Sequence, residues 1–231
     1  MILLNMHGSG TLVRFKSEIL QKIDTLDIKV LKQEYHSHPE YGLINIPNFL
    51  PDGLTSICAN ELDWIPLEDC KHFTRKGSCM YEHNNLEETP YADQLVHALS
   101  SSKFIKWLED LTGVKKLLND PHLVGAGYMK SFRGDTLQVH TDFNWVEELQ
   151  LNRAVSIIVY FNKDQSKFFR YWKSNFRRKQ KLIGEKIYKF SHFSKKDLIF
   201  GWSFPHTSFF FHSDILKYIP KYNENFKTSS D

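Results

Sequence analysis

The chain has little cysteine and no long apolar run. Its three cysteines among 231 residues, Cys58, Cys70 and Cys79, are odd in number and form no C-x-x-C pair. That argues against a disulfide framework or a zinc cluster and points to a reducing compartment. Nothing approaches the roughly 18 consecutive apolar residues of a membrane span. The N-terminal MILLNMHGSG has no basic n-region, and its apolar run is too short for a signal peptide. A cytoplasmic protein without a membrane partner is the expectation. Charge of one sign is missing too. Thirty Lys and Arg against 27 Asp and Glu leave a net charge of +3, so no global field demands a nucleic-acid partner. No repeat or low-complexity linker marks a domain boundary. One domain over residues 1–231 is expected, with a helical and strand part over 1–120 and a β core over 121–231.

What is present is ordinary for a globular protein: 41% hydrophobic and 25% charged residues, with 14% aromatics that are mostly Phe. Residues 11–24 carry Leu12, Phe15, Ile19, Leu20 and Ile23 at helical spacing. Residues 27–35 and 41–47 read as strands, and Asp52 as the cap of a helix through Leu62. Residues 64–88 read as irregular and charged. Thr89-Pro90 is a cap followed by Pro at the first helical position, opening a helix to about Leu99. Ser101 or Ser102 caps a second helix, SKFIKWLEDLTG, which Gly113 stops. After Pro121 the texture turns to strands: HLVGAGYMKS, DTLQVHTDF, RAVSIIVYF, EKIYKFSHF, DLIFGWS and HTSFFFH. RAVSIIVYF is continuously apolar, as for a strand buried on both faces. Helices followed by many short strands predict an α+β, mainly β fold: a two-sheet jelly roll with N-terminal helices packed on one sheet.

In DTLQVHTDFNW, apolar and polar residues alternate, so His140 and Asp142 share one face of a strand. An imidazole and a carboxylate so placed can take adjacent positions on one metal. With a further His they make the 2-His-1-carboxylate triad that suits non-haem Fe(II) oxygenases. The spacing alone is not specific, and a second copy, His212-Ser213-Asp214, has no His after it. His140 has His192, His206 and His212 downstream. The third ligand should open a late strand. KKDLIFGWSFPHTSFFF fits that need, with a strand ending at Phe200, a turn to Pro205, and His206 at the start of the next strand.

The stretch GDTLQVHTDFNWVEELQLNRAVSIIVYFNKD resembles the Fe(II)/2-oxoglutarate-dependent dioxygenases of the prolyl 4-hydroxylase-like group, small bacterial and phage members above all. LSSSKFIKWLEDLTGVKKLLNDPHLVGAGY is similar to that group's helical lead-in. The resemblance spans residues 95–164 well and 165–210 loosely. It implies a double-stranded β-helix, and Fe(II) held by His140, Asp142 and a distal His, best matched by His206. It implies 2-oxoglutarate on the iron, a basic residue for its far carboxylate (Lys217, eleven residues after His206), and ascorbate as reductant. The reaction implied is hydroxylation of an unactivated C–H of a small-molecule or peptide substrate, coupled to decarboxylation of 2-oxoglutarate to succinate. Tyr128, on a neighbouring strand, is either a wall of the cosubstrate pocket or a core aromatic.

The chain departs from the pattern further on. DQSKFFRYWKSNF has Trp172 without the family's paired glycines. His212 stays a rival distal ligand, with Lys221 or Lys227 as anchors. Residues 163–196 carry twelve Lys or Arg against two acids, interleaved with Phe168, Phe169, Tyr171, Trp172 and Phe176. Basic groups among aromatics are what single-stranded nucleic-acid binding uses. The alternatives are therefore a nucleic-acid-binding module, a solvated basic hairpin on the same fold, or a non-catalytic jelly-roll binding domain. His36-x-His38 reads as solvated histidines, and Asp63, Glu68 and Asp69 as a charged loop. Arg153 either braces the site or pairs with a surface acid.

Overall fold

The fold joins five helices to antiparallel strands among the described residues, which in this computed structural model are 9–37, 42, 44–51, 53–75, 78–123, 127–137, 140–141, 145–161, 198–199, 202–203 and 208–217. The helices are α1 (Ser9–Asp24), α2 (Ile28–His36), α3 (Leu54–Trp64), α4 (Pro90–Leu99) and α5 (Ser102–Thr112). None of them is long and apolar enough to cross a membrane. The strands are β1 (Lys71–Arg75), β2 (Ser78–His83), β3 (Leu117–Asn119), β4 (Gly127–Ser131), β5 (Thr136–Leu137), β6 (His140–Thr141), β7 (Trp145–Val146), β8 (Leu151–Tyr160), β9 (Leu198–Ile199), β10 (Trp202–Ser203) and β11 (Ser208–Lys217).

Helix ends follow the local chemistry. Ser101 Oγ accepts from the Phe104 N–H at 3.2 Å, and Gly113 closes α5 at φ +77°. Thr89 and Pro90 open α4 as expected, but the Thr89 side chain makes no capping bond. Glu61 of α3 takes that role from across the helix layer. Its two carboxylate oxygens accept from the Tyr91 N–H at 3.0 Å and the Ala92 N–H at 2.9 Å.

Four sequence expectations for the residues before Pro90 are corrected. Residues 27–35 are not a strand: Asp27 accepts from the Lys29 and Val30 N–H groups and starts α2. Ile28, Leu31 and Tyr35 then lie on one helical face packed against the core, while Val30 is 58% exposed. The described residues within 41–47, namely 42 and 44–47, form no strand. Residues 64–88 are not irregular throughout, because β1 and β2 make an antiparallel pair with His72 opposite Tyr81. The helix expected from Asp52 is present as α3, but Gly53, at φ +84°, holds the N-cap position, and Asp52 lies outside the described residues.

The main sheet has seven strands in the order β1-β2-β4-β11-β8-β7, with β3 also on β11. One face is covered by helices. Ile19, Leu54, Cys58, Leu95, Leu99, Phe104 and Leu111 form one core with Leu117, Tyr128, Phe161 and Ile215. Ala154, Val155, Ile157 and Val159 of β8 pack against that core. Met129 and Met80 pack with Phe73 and Tyr160 in a second, separate cluster. Tyr128 and Val159 both stand opposite Phe211, whereas Met129 and Tyr160 both stand opposite Phe210. The two clusters therefore mark the two faces of one pleated sheet. β8 is not buried on both faces: none of its residues is fully buried, and Ser156 and Ile158 are exposed on the face away from the helices.

Beyond this sheet, β5 pairs with β10 and β6 with β9. Gly127 stands opposite His212, Leu137 opposite Trp202 and His140 opposite Ile199. Counted residue for residue, the three ladders keep one register: every step forward from β4 to β6 is one step back from β11 to β9. Three separate ladders among the described residues thus share one register.

Candidate functional site

The site expected from the sequence centres on β6 and on the segment between β10 and β11. His140 is the first residue of β6, and its backbone is paired with Ile199 of β9. The His140 side chain, and Asp142 and His206 altogether, lie outside the described residues. His212 pairs by backbone with Gly127 and Ile158, and its side chain is likewise outside them. The same holds for His192, for Lys221 and Lys227, and for the basic stretch 163–196. Among the described residues there is no group of three His, Cys, Asp or Glu placed to hold a metal.

The two residues expected around a cosubstrate are both described, and they sit far apart. Tyr128 is 1% exposed, in the core beneath the helices, with its ring 6.3 Å from that of Phe161. Burial raises its phenol pKa well above the ordinary value, so the ring stays neutral. Lys217 ends β11, half-buried, opposite Asn152 of β8 and Leu117 of β3. Tyr128 faces Phe211, six residues back along β11, about 20 Å away at ~3.3 Å per residue.

The Lys217 end of the sheet is where the chain returns just after the His-x-Asp pair. Trp145 of β7, three residues beyond Asp142, stands opposite Asn152, which stands opposite Lys217. The β7–β8 turn is fixed by Glu147, whose carboxylate accepts from Trp145 Nε1 and, at 3.0 Å, from Gln150 Nε2.

Between Ile215 and Leu216 the β8–β11 register shifts: Ile215 faces Val155, and Leu216 faces Arg153. Ala154 is the extra residue of a β-bulge. At such a bulge two successive side chains lean to one side, and Ala154 and Val155 do both pack towards the helices. Arg153 is therefore carried to the other face. Its guanidinium Nε is shut off from solvent although the residue as a whole is only half-buried. Nothing in the sequence signalled this bulge, because RAVSIIVYF carries no Gly or Pro and is apolar after the arginine except at Ser156.

Other polar residues have structural roles. Asp63 accepts from the ammonium of the buried Lys130 at 3.2 Å. Glu68 and Asp69 lie in a single 3-10 turn. His36 ends α2 beside Tyr35, ring to ring at 5.0 Å, and His38 lies outside the described residues. His72 stacks flat on Tyr81 at 4.4 Å and contacts Cys79 Sγ at 3.3 Å. Compared with known protein families and with curated proteins, the chain matches none of them.

Proposed function

We propose that the protein is an Fe(II)/2-oxoglutarate-dependent oxygenase on a jelly-roll framework, hydroxylating an unactivated C–H of a small-molecule or peptide substrate. The observation that carries this reading is the common register of the three ladders. β4 pairs with β11, β5 and β6 pair with β10 and β9, and β11 lies between β4 and β8. A chain folded back strand upon strand, first against last and second against second-to-last, is how a jelly roll is wound. It sets the strand carrying His140 beside the strands that lead into the His206 segment. Two imidazoles and a carboxylate are the donor set that suits Fe(II) with open positions. His140, Asp142 and His206 would hold the metal.

Bound iron, 2-oxoglutarate and O2 would supply the oxidising power, with succinate and CO2 as coproducts. The polypeptide orients the substrate and keeps water out. The main sheet supports such a role: helices close one face, and the other is open at Ser156 and Ile158. Lys217 is the position that the sequence resemblance gives to the far carboxylate of the cosubstrate.

The test is succinate formation from 2-oxoglutarate after anaerobic loading with Fe(II) and admission of air, in wild type, His140→Ala and His206→Ala. Loss in both variants is expected. Loss in His140→Ala alone moves the third ligand to His212, and wild type that retains iron without turnover sinks the oxygenase reading.

A further inference from the structure

The β1–β2 pair carries a cluster of groups that the proposed iron site does not use. His72 stands opposite Tyr81 and Thr74 opposite Cys79, so His72 and Cys79 are diagonal neighbours on one face of the pair. Across that diagonal His72 Nε2 lies 3.3 Å from Cys79 Sγ. The imidazole lies flat on the Tyr81 ring at 4.4 Å, and Phe132 meets Tyr81 edge-on at 5.7 Å. Asp135 accepts from the Phe132 N–H at 2.7 Å and also hydrogen-bonds with the Cys79 thiol. His72 is exposed and Cys79 only half-buried. We propose that Cys79 and His72 together bind one soft monovalent cation of the copper(I) class, as thiolate and imidazole.

The order of the three groups argues against a nucleophilic relay, in which the imidazole stands between thiol and carboxylate. Here the thiol stands between carboxylate and imidazole. Desolvation, and then the Asp135 charge, raise its pKa and keep the free thiol protonated. A coordinated metal overrides that preference, because it deprotonates a thiol outright. Binding exchanges the thiol proton for the cation, and Asp135 is placed to take the proton. The donor types select the ion. Thiolate sulfur favours copper(I), and imidazole suits copper as well. Structural zinc asks for four donors, and among the described residues no group of three His, Cys, Asp or Glu is placed to hold a metal. A monovalent copper-class ion is content with two. Metal bonds of about 2.3 Å to sulfur and about 2.0 Å to nitrogen, the lengths known for zinc, fit donor atoms 3.3 Å apart with a bend at the metal. The stack on Tyr81 holds the imidazole in place beforehand. The site shares no residue with His140, Asp142 and His206, and it stands or falls independently of the oxygenase reading.

The experiment is dialysis of the full-length, reduced, metal-free protein against the acetonitrile complex of copper(I), without oxygen, with protein-bound copper counted at each concentration. Wild type, Cys70→Ser and His140→Ala should each fill one tight site first. Cys79→Ser should lose that site. His72→Phe keeps a ring on Tyr81 and should weaken it about a hundredfold, since even a partner standing behind a metal ligand is worth about tenfold to a hundredfold. X-ray absorption at the copper edge of wild type loaded with one copper should show one sulfur and one nitrogen donor; this reading decides the matter even if a variant does not fold. Unchanged binding in His72→Phe, or a sulfur-only spectrum, overturns the proposal by reducing it to capture by an accessible thiol. Loss of the site in Cys70→Ser or His140→Ala, with Cys79→Ser intact, overturns it by placing the copper elsewhere.

Discussion

His140 stands directly opposite Ile199, in the same register that sets Leu137 opposite Trp202 and Gly127 opposite His212. That register is checkable chemically. Directly opposed residues in an antiparallel pair lie within disulfide reach. Leu137→Cys with Trp202→Cys should therefore cross-link under mild oxidation, read by peptide mass spectrometry. Leu137→Cys with Ile199→Cys, three residues out of register, should not. Equal cross-linking of both pairs would mean that the ladder slides.

Strand β4, which shares that register, begins at Gly127. Its φ of +147° is one that side chains rarely adopt, and a Cβ there would come within 2.8 Å of the His83 carbonyl oxygen. Gly127→Ala must strain the backbone or part β4 from β2. A loss of about 2–3 kcal/mol is expected in urea unfolding. Gly134, at φ +96° with open space around it, is the control: Gly134→Ala should cost about 1 kcal/mol.

Much of the helical half was legible in the sequence, because caps and periodicity there agree. Ser101, Pro90 and Gly113 mark ends that the structure keeps. The segment IKVLKQEYH was not legible, since Ile28, Val30 and Leu31 satisfy both a two-residue and a helical period. The Asp27 cap decided between them. The β1–β2 pair was hidden by its charged, polar alternation, with Phe73 and Met80 as its only strong apolar marks. Of the candidate site, the His-x-Asp strand was visible as a local pattern. The partner of that strand was not, because pairing across more than fifty residues depends on register rather than on either segment alone. The bulge that turns Arg153 outward depends on the same register.

Thiol reactivity should follow burial. Cys58 is fully buried in the helix core, and desolvation drives its pKa far up. It should resist a thiol reagent in the native state and react only on unfolding. Cys70 and Cys79 are partly exposed, with pKa values raised mainly by desolvation. Both should react slowly near neutrality and faster as pH rises. A count of two accessible thiols before denaturation and three after it is the expected titration; three before it would mean that the helix layer opens.

Glu61 offers the sharpest link between stability and pH. Its carboxylate replaces the missing side-chain cap of α4 by accepting from Tyr91 and Ala92. Glu61→Ala should therefore cost about 1–2 kcal/mol, the ordinary worth of a helix cap. The charge itself is less welcome. Burial raises the Glu61 pKa above 4.5, the two backbone hydrogen bonds offset part of that rise, and nearby Asp93 adds to it. A carboxyl with a higher pKa in the native state holds its proton where the unfolded chain has lost it. Its contribution is fully present below the unfolded pKa and is lost as pH rises through the folded one. Glu61→Gln removes this titration while keeping an acceptor oxygen. The unfolding free energy of wild type, relative to Glu61→Gln, should accordingly fall as pH is raised from below 4.5 towards neutrality. Urea midpoints for the two proteins across that range decide the matter: a difference that rises with pH would mean that the two N–H bonds outweigh desolvation and hold the carboxylate ionised.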